Sequence, residues 1–232
     1  MTQTAESCSP NSNSYHHGNL RQALLDAAVD AIRESGPENL SLRAIARRVG
    51  VSQTAPYRHF ADKNDLLAEL ARQGFDDITR FLTDQTESQA SPAARLQQAA
   101  TAYISYAIKN PEKYRLIFGN HVARRTDYSE LKASGRRCSA LFQNLITDGI
   151  HSGDFIAADP IILFNTCLAA IHGFAFLCID GTFERLEQAR EAQTCAETQS
   201  GQPPASSTVN DQLIQAQVKM MVRSIARQPD SI

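Results

Sequence analysis

The sequence predicts an all-α protein, and three observations carry that expectation. Apolar residues recur at helical spacing along most of the chain, and no segment alternates with period two for long. Helix starts are marked three times by a capping residue followed by proline, at Ser91-Pro92, Asn110-Pro111 and Asp159-Pro160. The 232 residues, 42% of them apolar, leave room for a small domain followed by a larger one.

Residues 1–14, rich in Ser, Thr and Asn, are expected to form a disordered tail. Leu20, Leu24, Ala27, Ala28, Ala31 and Ile32 then define a first helix ending at Ser35 and Gly36. Leu42, Ile45, Ala46 and Val49 follow at i, i+3, i+4 and i+7, a short stripe whose opposite face carries Arg43, Arg47 and Arg48. Ser41 stands where an N-cap belongs, and Gly50 where a left-handed C-cap suits glycine. Ser52 is placed to cap the next helix. Pro56 lacks an amide proton and is tolerated only near a helix start, so that helix must begin near Gln53 or Thr54 and be short. Asp62 and Asp65 frame a longer helix with Leu66, Leu70, Ile78 and Leu82 on one side, running from the first domain into the second.

Two short helices joined by a tight glycine turn over residues 41–60 make a helix-turn-helix, whose second helix can leave steeply and lie in a DNA major groove. Gln53, Thr54 and Tyr57 would then hydrogen-bond base edges, Ala55 and Pro56 could touch a thymine methyl, and Arg58, His59 and Lys63 would reach phosphates. The net charge of −2 does not mark a nucleic-acid binder, so its distribution decides. Between Asn39 and Lys63, five basic side chains stand against Asp62 alone.

From Tyr15 to Ala71 the chain closely resembles the TetR/AcrR transcriptional repressors, through YHHGNLR, ALLDAA, LSLRAIARRVGVS, YRHF and ADKNDLL. The resemblance implies that Arg43, Ser52, Gln53, Thr54, Tyr57, His59 and Lys63 contact DNA and that Phe60 lies in the core. The C-terminal half is similar to a branch of that family with a Trp-His-Gly signature, matched here by Ile171, His172 and Gly173. The expected domains are a DNA-binding head at residues 18–78 and a helical effector-binding and dimerisation domain at 79–232.

In the second domain, Asp127 with Glu130 reads as a capping box for a helix running to about Gly153. From Ile161 to Ile179 only Asn165, Thr166 and His172 are clearly polar, which is the lower limit for a bilayer span. The Asp159-Pro160 start, the Gly181 end and the lack of flanking aromatic and basic belts point instead to a helix buried by its own domain and by a second subunit, with no membrane involved. Residues 187–210 lack Ile, Leu, Met and Phe and are expected to form a flexible insertion. Leu213, Ile214, Val218, Met221, Val222 and Ile225 form a last amphipathic helix. The helices at about 160–180 and 211–227 of two subunits would make a four-helix homodimer interface, as in the family.

Tyr103 with Tyr106, Cys138 with Phe142, and Asn165 with His172 and Phe176 each share one helix face. Together they are the candidate walls for a medium-sized, mostly apolar effector, although each also fits a core or interface position. The five cysteines are odd in number and far apart, without a CxxC pair or zinc-spaced histidines, so a reduced cytoplasm is expected and no metal. Cys167 and Cys178 lie roughly 16 Å apart along one helix, too far to bridge. The first fourteen residues lack the apolar run of a signal peptide.

No nucleophile elbow, phosphate-binding glycine loop or metal-spaced cluster suggests an enzyme, and no cofactor is implied. The expectation is therefore a homodimeric repressor that binds a pseudo-palindromic operator on double-stranded DNA and is released by a small-molecule effector. The alternative is an architectural DNA-binding protein that needs no effector.

Overall fold

In a computed structural model, the structure describes residues 20–123, 125–186, 188–189 and 211–227. Regular structure among them is helical, apart from one isolated antiparallel bridge between Phe155 and Ala226. The chain divides into two compact units, the first running to Leu70 and including His121–Ala123, the second comprising Ala71–Asn120 and the chain from Arg124 onward.

The first unit holds α1 (Leu20–Ser35), α2 (Leu42–Val49), a 3-10 turn at Ala55–Arg58 and the start of α3 (Lys63–Asp84). Leu24, Leu25, Ala28 and Ile32 of α1 are buried with Leu42, Ile45 and Ala46 of α2 and with Phe60, Leu66 and Leu67. Gly50 takes the expected left-handed conformation, φ 76° and ψ 29°, and its N–H donates to the carbonyls of Ala46 and Arg47. Ser41 occupies the N-cap position in extended backbone, but its side chain makes no capping bond. The start of α3 is a reciprocal box, in which the Asp65 N–H donates to Asp62 Oδ1 at 2.8 Å and the Ala61 N–H donates to Asp65 Oδ2 at 2.9 Å. Asn64 clasps the returning strap of residues 121–123 by donating to the Ala123 carbonyl (3.0 Å) and accepting from its N–H (2.7 Å).

The second unit continues α3 and adds α4 (Pro92–Lys109), α5 (Pro111–Phe118), α6 (Ser129–Ser152), α7 (Pro160–Ile179) and α8 (Asp211–Ile225). α4 packs against α5, α6, α7 and α8. Two of the three cap-proline starts use the capping side chain: Ser91 Oγ accepts from the Ala94 N–H at 3.3 Å and Asp159 Oδ1 from the Ile161 N–H at 2.8 Å. Asn110 instead donates its amide back to the Tyr106 carbonyl at 3.0 Å. The box expected from Asp127 and Glu130 does not form. Asp127 is drawn into a 3-10 turn at Arg125–Asp127, and α6 begins one residue later with Tyr128 at its N-cap.

α7 contains a window of mean hydropathy 2.0, long and apolar enough by composition to cross a membrane. Leu163, Phe164, Cys167, Ile171, Phe174 and Ala175 are buried within its own unit, whereas Ile161, Ile162 and Leu177 are exposed. The expected tail at residues 1–14 lies outside the described residues. So does the insertion at 187–210, except for Gln188 and Ala189, which are helical rather than loop.

Phe155 turns back over α6 at Gly149, where its N–H donates to the Gly149 carbonyl at 3.0 Å and its ring is buried. A Cβ at position 149 would stand 2.1 Å from that ring. Gly149→Ala is therefore expected to destabilise the protein by about 1–3 kcal/mol in chemical denaturation. Gly135→Ala on the same helix, where the nearest ring atom would lie at an ordinary 3.5 Å, should instead stabilise by up to about 1 kcal/mol through helix propensity.

Candidate functional site

Pro56 decides the shape of the element that sequence places against DNA. With no amide proton at the second helical position, and α3 opening shortly after, there is no length for an i to i+4 ladder, and residues Ala55–Arg58 form a single 3-10 turn. Its N-cap is Thr54 rather than Ser52. Ser52 contributes its carbonyl, which accepts from the Ala55 N–H at 3.0 Å, while its hydroxyl lies 3.2 Å from Thr54 Oγ1. Pro56 itself is buried, and its carbonyl accepts from the N–H groups of His59 and Phe60 at 2.9 and 3.0 Å. It is a base under the turn and cannot touch a thymine methyl.

Above that base, Gln53, Thr54 and His59 are exposed, as is Tyr57 at 49%. Ser52, and Arg43 on α2, are exposed as well. Lys63, half-buried at the first position of α3, donates from Nζ to the Glu38 carbonyl at 2.5 Å. Phe60 is buried beneath, with the Arg21 guanidinium 5.3 Å from its ring centre and bridged on to Glu69.

The basic side chains are not equivalent. Arg48 is held by Glu34 through two bonds of 2.6 and 2.7 Å, and this pairing keeps the Glu34 carboxyl below its usual range. Arg43, Arg47 and Arg58 have no ion pair among the described residues. Arg47 is therefore a phosphate candidate that the seven expected contacts omit, and its place on the polar face of α2 was the signal for it.

In the second unit, four of the expected effector residues, Tyr103, Phe142, His172 and Phe176, come together around a hydrogen-bonded triangle. Tyr103 Oη lies 2.8 Å and Tyr114 Oη 2.6 Å from His172 Nδ1, and the Tyr114 O–H donates to Tyr103 Oη at 2.9 Å. The chain of protons closes if Tyr103 donates to an unprotonated Nδ1, with the imidazole proton on Nε2. Burial supports this state, lowering the His172 pKa and raising both phenols well above their ordinary value. Phe118 and Phe176 stack against the imidazole with ring centres at 4.7 and 4.8 Å, and Phe142 meets Tyr103 at 5.9 Å.

Of the remaining three, Cys138 lies near Tyr103 and Tyr114, whereas Tyr106 and Asn165 do not join the triangle. Tyr106 is buried against Phe81, and its hydroxyl has no partner. Cys138 is buried, and burial pushes its thiol up to about 11; the same holds for Cys167 and Cys178, so the described cysteines stay protonated. Asn165 does not join His172 and Phe176 despite sharing their helix face. It is exposed, because the eight-residue α5 brings Tyr114 and Phe118 only against the C-terminal half of α7. Tyr114 and Phe118 were the residues missed. The Asn110-Pro111 start located their helix, and their spacing on it was the available signal. A cleft of about 210 Å³ opens beside the cluster between α3, α4 and α6, walled by Leu82, Arg95, Ala99, Leu141 and Leu145.

The depressed His172 pKa fixes the sign of a pH dependence. The unfolded chain, with a histidine pKa near 6.5, takes up the proton first, so this group's stabilisation is complete above that value and is lost as pH falls toward the folded pKa. Thermal melting between about pH 7.5 and 5.5 should show a falling midpoint for wild type and a flatter profile for His172→Gln.

A family model of bacterial regulatory proteins of the tetR family matches residues 24–70, and one of tetracyclin repressor-like C-terminal domains matches residues 96–199. The chain is 25% identical over 175 residues to the uncharacterized HTH-type transcriptional regulator YobS of Bacillus subtilis, covering 75% of this chain and 87% of that one. It is 26% identical over 128 residues to the HTH-type transcriptional activator FasR of Mycolicibacterium smegmatis, covering 55% of this chain and only 58% of that relative's length. A solved structure of a Rhodococcus sp. RHA1 protein with unknown function is 30% identical, covers 93% of this chain and all of that one, and superposes with a TM-score of 0.73. Matched over both its head and its helical second unit, the chain belongs to the TetR family of DNA-binding transcriptional regulators.

Proposed function

We propose that the protein acts as a homodimeric repressor in the cytoplasm, whose two heads occupy successive half-sites of a pseudo-palindromic operator and are released by a small, mostly apolar effector. The observation that carries this reading is the exposed row Gln53, Thr54 and Tyr57, set on the buried base of Pro56 and Phe60 and flanked by Arg43, Arg47 and Arg58. Gln53, Thr54 and Tyr57 read bases. Arg43, Ser52, His59 and Lys63 hold phosphates.

Dimerisation is supported by an apolar surface that the single chain leaves uncovered. Ile162 and Leu177 on α7 are 62% and 42% exposed, and Leu213 and Met220 on α8 are 39% and 68% exposed. Paired with the same helices of a second subunit, they form a four-helix interface. The effector would lodge in the second unit, reaching toward the cluster of Tyr103, Phe142, His172 and Phe176. A coupling of about 1–3 kcal/mol lowers operator affinity roughly 5- to 150-fold, which suffices for release.

Tyr57→Ala and Gln53→Ala should each weaken operator binding by about 1–3 kcal/mol and leave non-specific binding nearly unchanged. Arg43→Ala should instead weaken binding to all sequences and reduce the salt slope by about one unit. Anisotropy titrations with operator and random DNA at several salt concentrations separate the two. A wild-type preference for operator far below about 10³-fold would favour an architectural binder instead.

Gly173→Leu tests the interface. Beyond its own turn of helix, no described residue comes within 4 Å of a Cβ there, so the fold of one subunit should tolerate it. The dimer should weaken by about 1–3 kcal/mol through overpacking, seen as faster dissociation on dilution in sedimentation.

A further inference from the structure

We propose that the effector is a medium-chain carboxylate, anchored by Arg95 with its apolar chain lying in the cleft between α3, α4 and α6. This rests on the reading of the second unit as an effector domain and names the class of ligand that it takes.

The cleft is walled by Leu82, Ala99, Leu141 and Leu145. Thr83 and Thr86 also line it, but their hydroxyls donate to the carbonyls of Thr79 and Leu82 on their own helix, at 2.9 and 2.8 Å, and so offer a ligand little beyond methyl groups. Arg95 is the cation in this wall. Its Nε is closed off from solvent and has no hydrogen-bond partner among the described residues. Its one ion pair is a contact of 3.4 Å from Nη1 to Asp148 Oδ2, longer than charge-assisted bonds normally are. A carboxylate oxygen reaches the enclosed Nε no better than water does, so an incoming carboxylate would be taken end-on by the terminal Nη1 and Nη2 groups, where the long Asp148 contact is its competitor. A cation held by so long an ion pair, in the lining of an apolar cleft, is complementary to an anion on an apolar body.

Volume sets the length of that body. The cleft measures about 210 Å³, and a methylene fills about as much room as a water molecule, roughly 30 Å³, so the cleft holds a chain of about seven carbons beyond the carboxylate. Ala99 lies one turn before Tyr103 on α4, and Leu145 one turn after Phe142 on α6. The far end of the chain would therefore point along the α4–α6 seam toward the aromatic cluster.

Isothermal titration of the full-length protein without DNA, using octanoate, 1-octanol and octylamine as probes, tests the site. Octanoate should bind about tenfold or more tightly than octanol, and octylamine more weakly than either. Arg95→Gln should reduce octanoate to the level of octanol while leaving octanol binding unchanged. Asp148→Asn, which removes the competing carboxylate, should tighten octanoate. A wild-type protein that binds octanoate no better than octanol, or octanoate binding that survives Arg95→Gln, overturns the proposal. Operator release is scored separately by anisotropy: octanoate that binds without releasing DNA removes the effector role and keeps the site, whereas release by a neutral ligand without octanoate binding removes the site and keeps the effector role.

Discussion

The second unit depends on the fact that α4 has neighbours on nearly every side. Its buried positions include Leu96, Ala99, Ala100, Ala102, Tyr103, Ile104, Tyr106 and Ala107, which cover more than half of the helix circumference. A helix so enclosed cannot carry bulk on every face, and its alanines let α6, α7 and α8 approach closely. Tyr103 and Tyr106 are the exceptions; a phenol buried without a partner costs about 1–3 kcal/mol, and of these two hydroxyls that of Tyr103 has partners among the described residues. Tyr114 from α5 and His172 from α7 provide those partners. One triangle of polar atoms thereby ties three helices together, and the residues that look most like a ligand site are also the ones that hold the core.

The head solves a different problem, that of presenting polar side chains to DNA on very little structure. A 3-10 turn of four residues has almost no stability of its own. It is fixed by the burial of Pro56 and Phe60, by the two N–H groups that converge on the Pro56 carbonyl, and by the reciprocal box that starts α3. Rigidity of this kind suits base readout, since side chains on a fixed backbone lose less entropy when they bind. The Arg48–Glu34 pair trims the local positive charge, which leaves more of the selectivity to the exposed row proposed to read bases.

Local signals were legible in the sequence because they depend only on neighbours along the chain. The apolar stripes of α1 to α3, the Gly50 cap, the Asp62–Asp65 start and the caps at Ser91 and Asp159 all belong to this class. Partners distant in the sequence were not legible. Nothing near Arg48 announces Glu34, and nothing near His172 announces Tyr114, since both pairings exist only once helices have packed. Asn165 shows the converse error, because periodicity placed it correctly on the face of His172 but could not say where the covering helix ends. Pro56 was read rightly as a limit on helix length and wrongly as an exposed contact, because one proline can both shorten a helix and fill the space beneath it.

Gly173 poses a further constraint. Within a helix it costs about 1 kcal/mol relative to alanine, and beyond its own turn of helix no described residue lies within 4 Å of where its side chain would be. No contact among the described residues therefore offsets that cost. Its neighbours on the same exposed side of α7 are Ile162, Ala169 and Leu177, large residues flanking small ones. A row that is low in its middle and apolar at its ends fits a crossing helix better than it fits water. The proposed partner subunit supplies such a helix, and it would give the glycine the close approach that the isolated chain does not use.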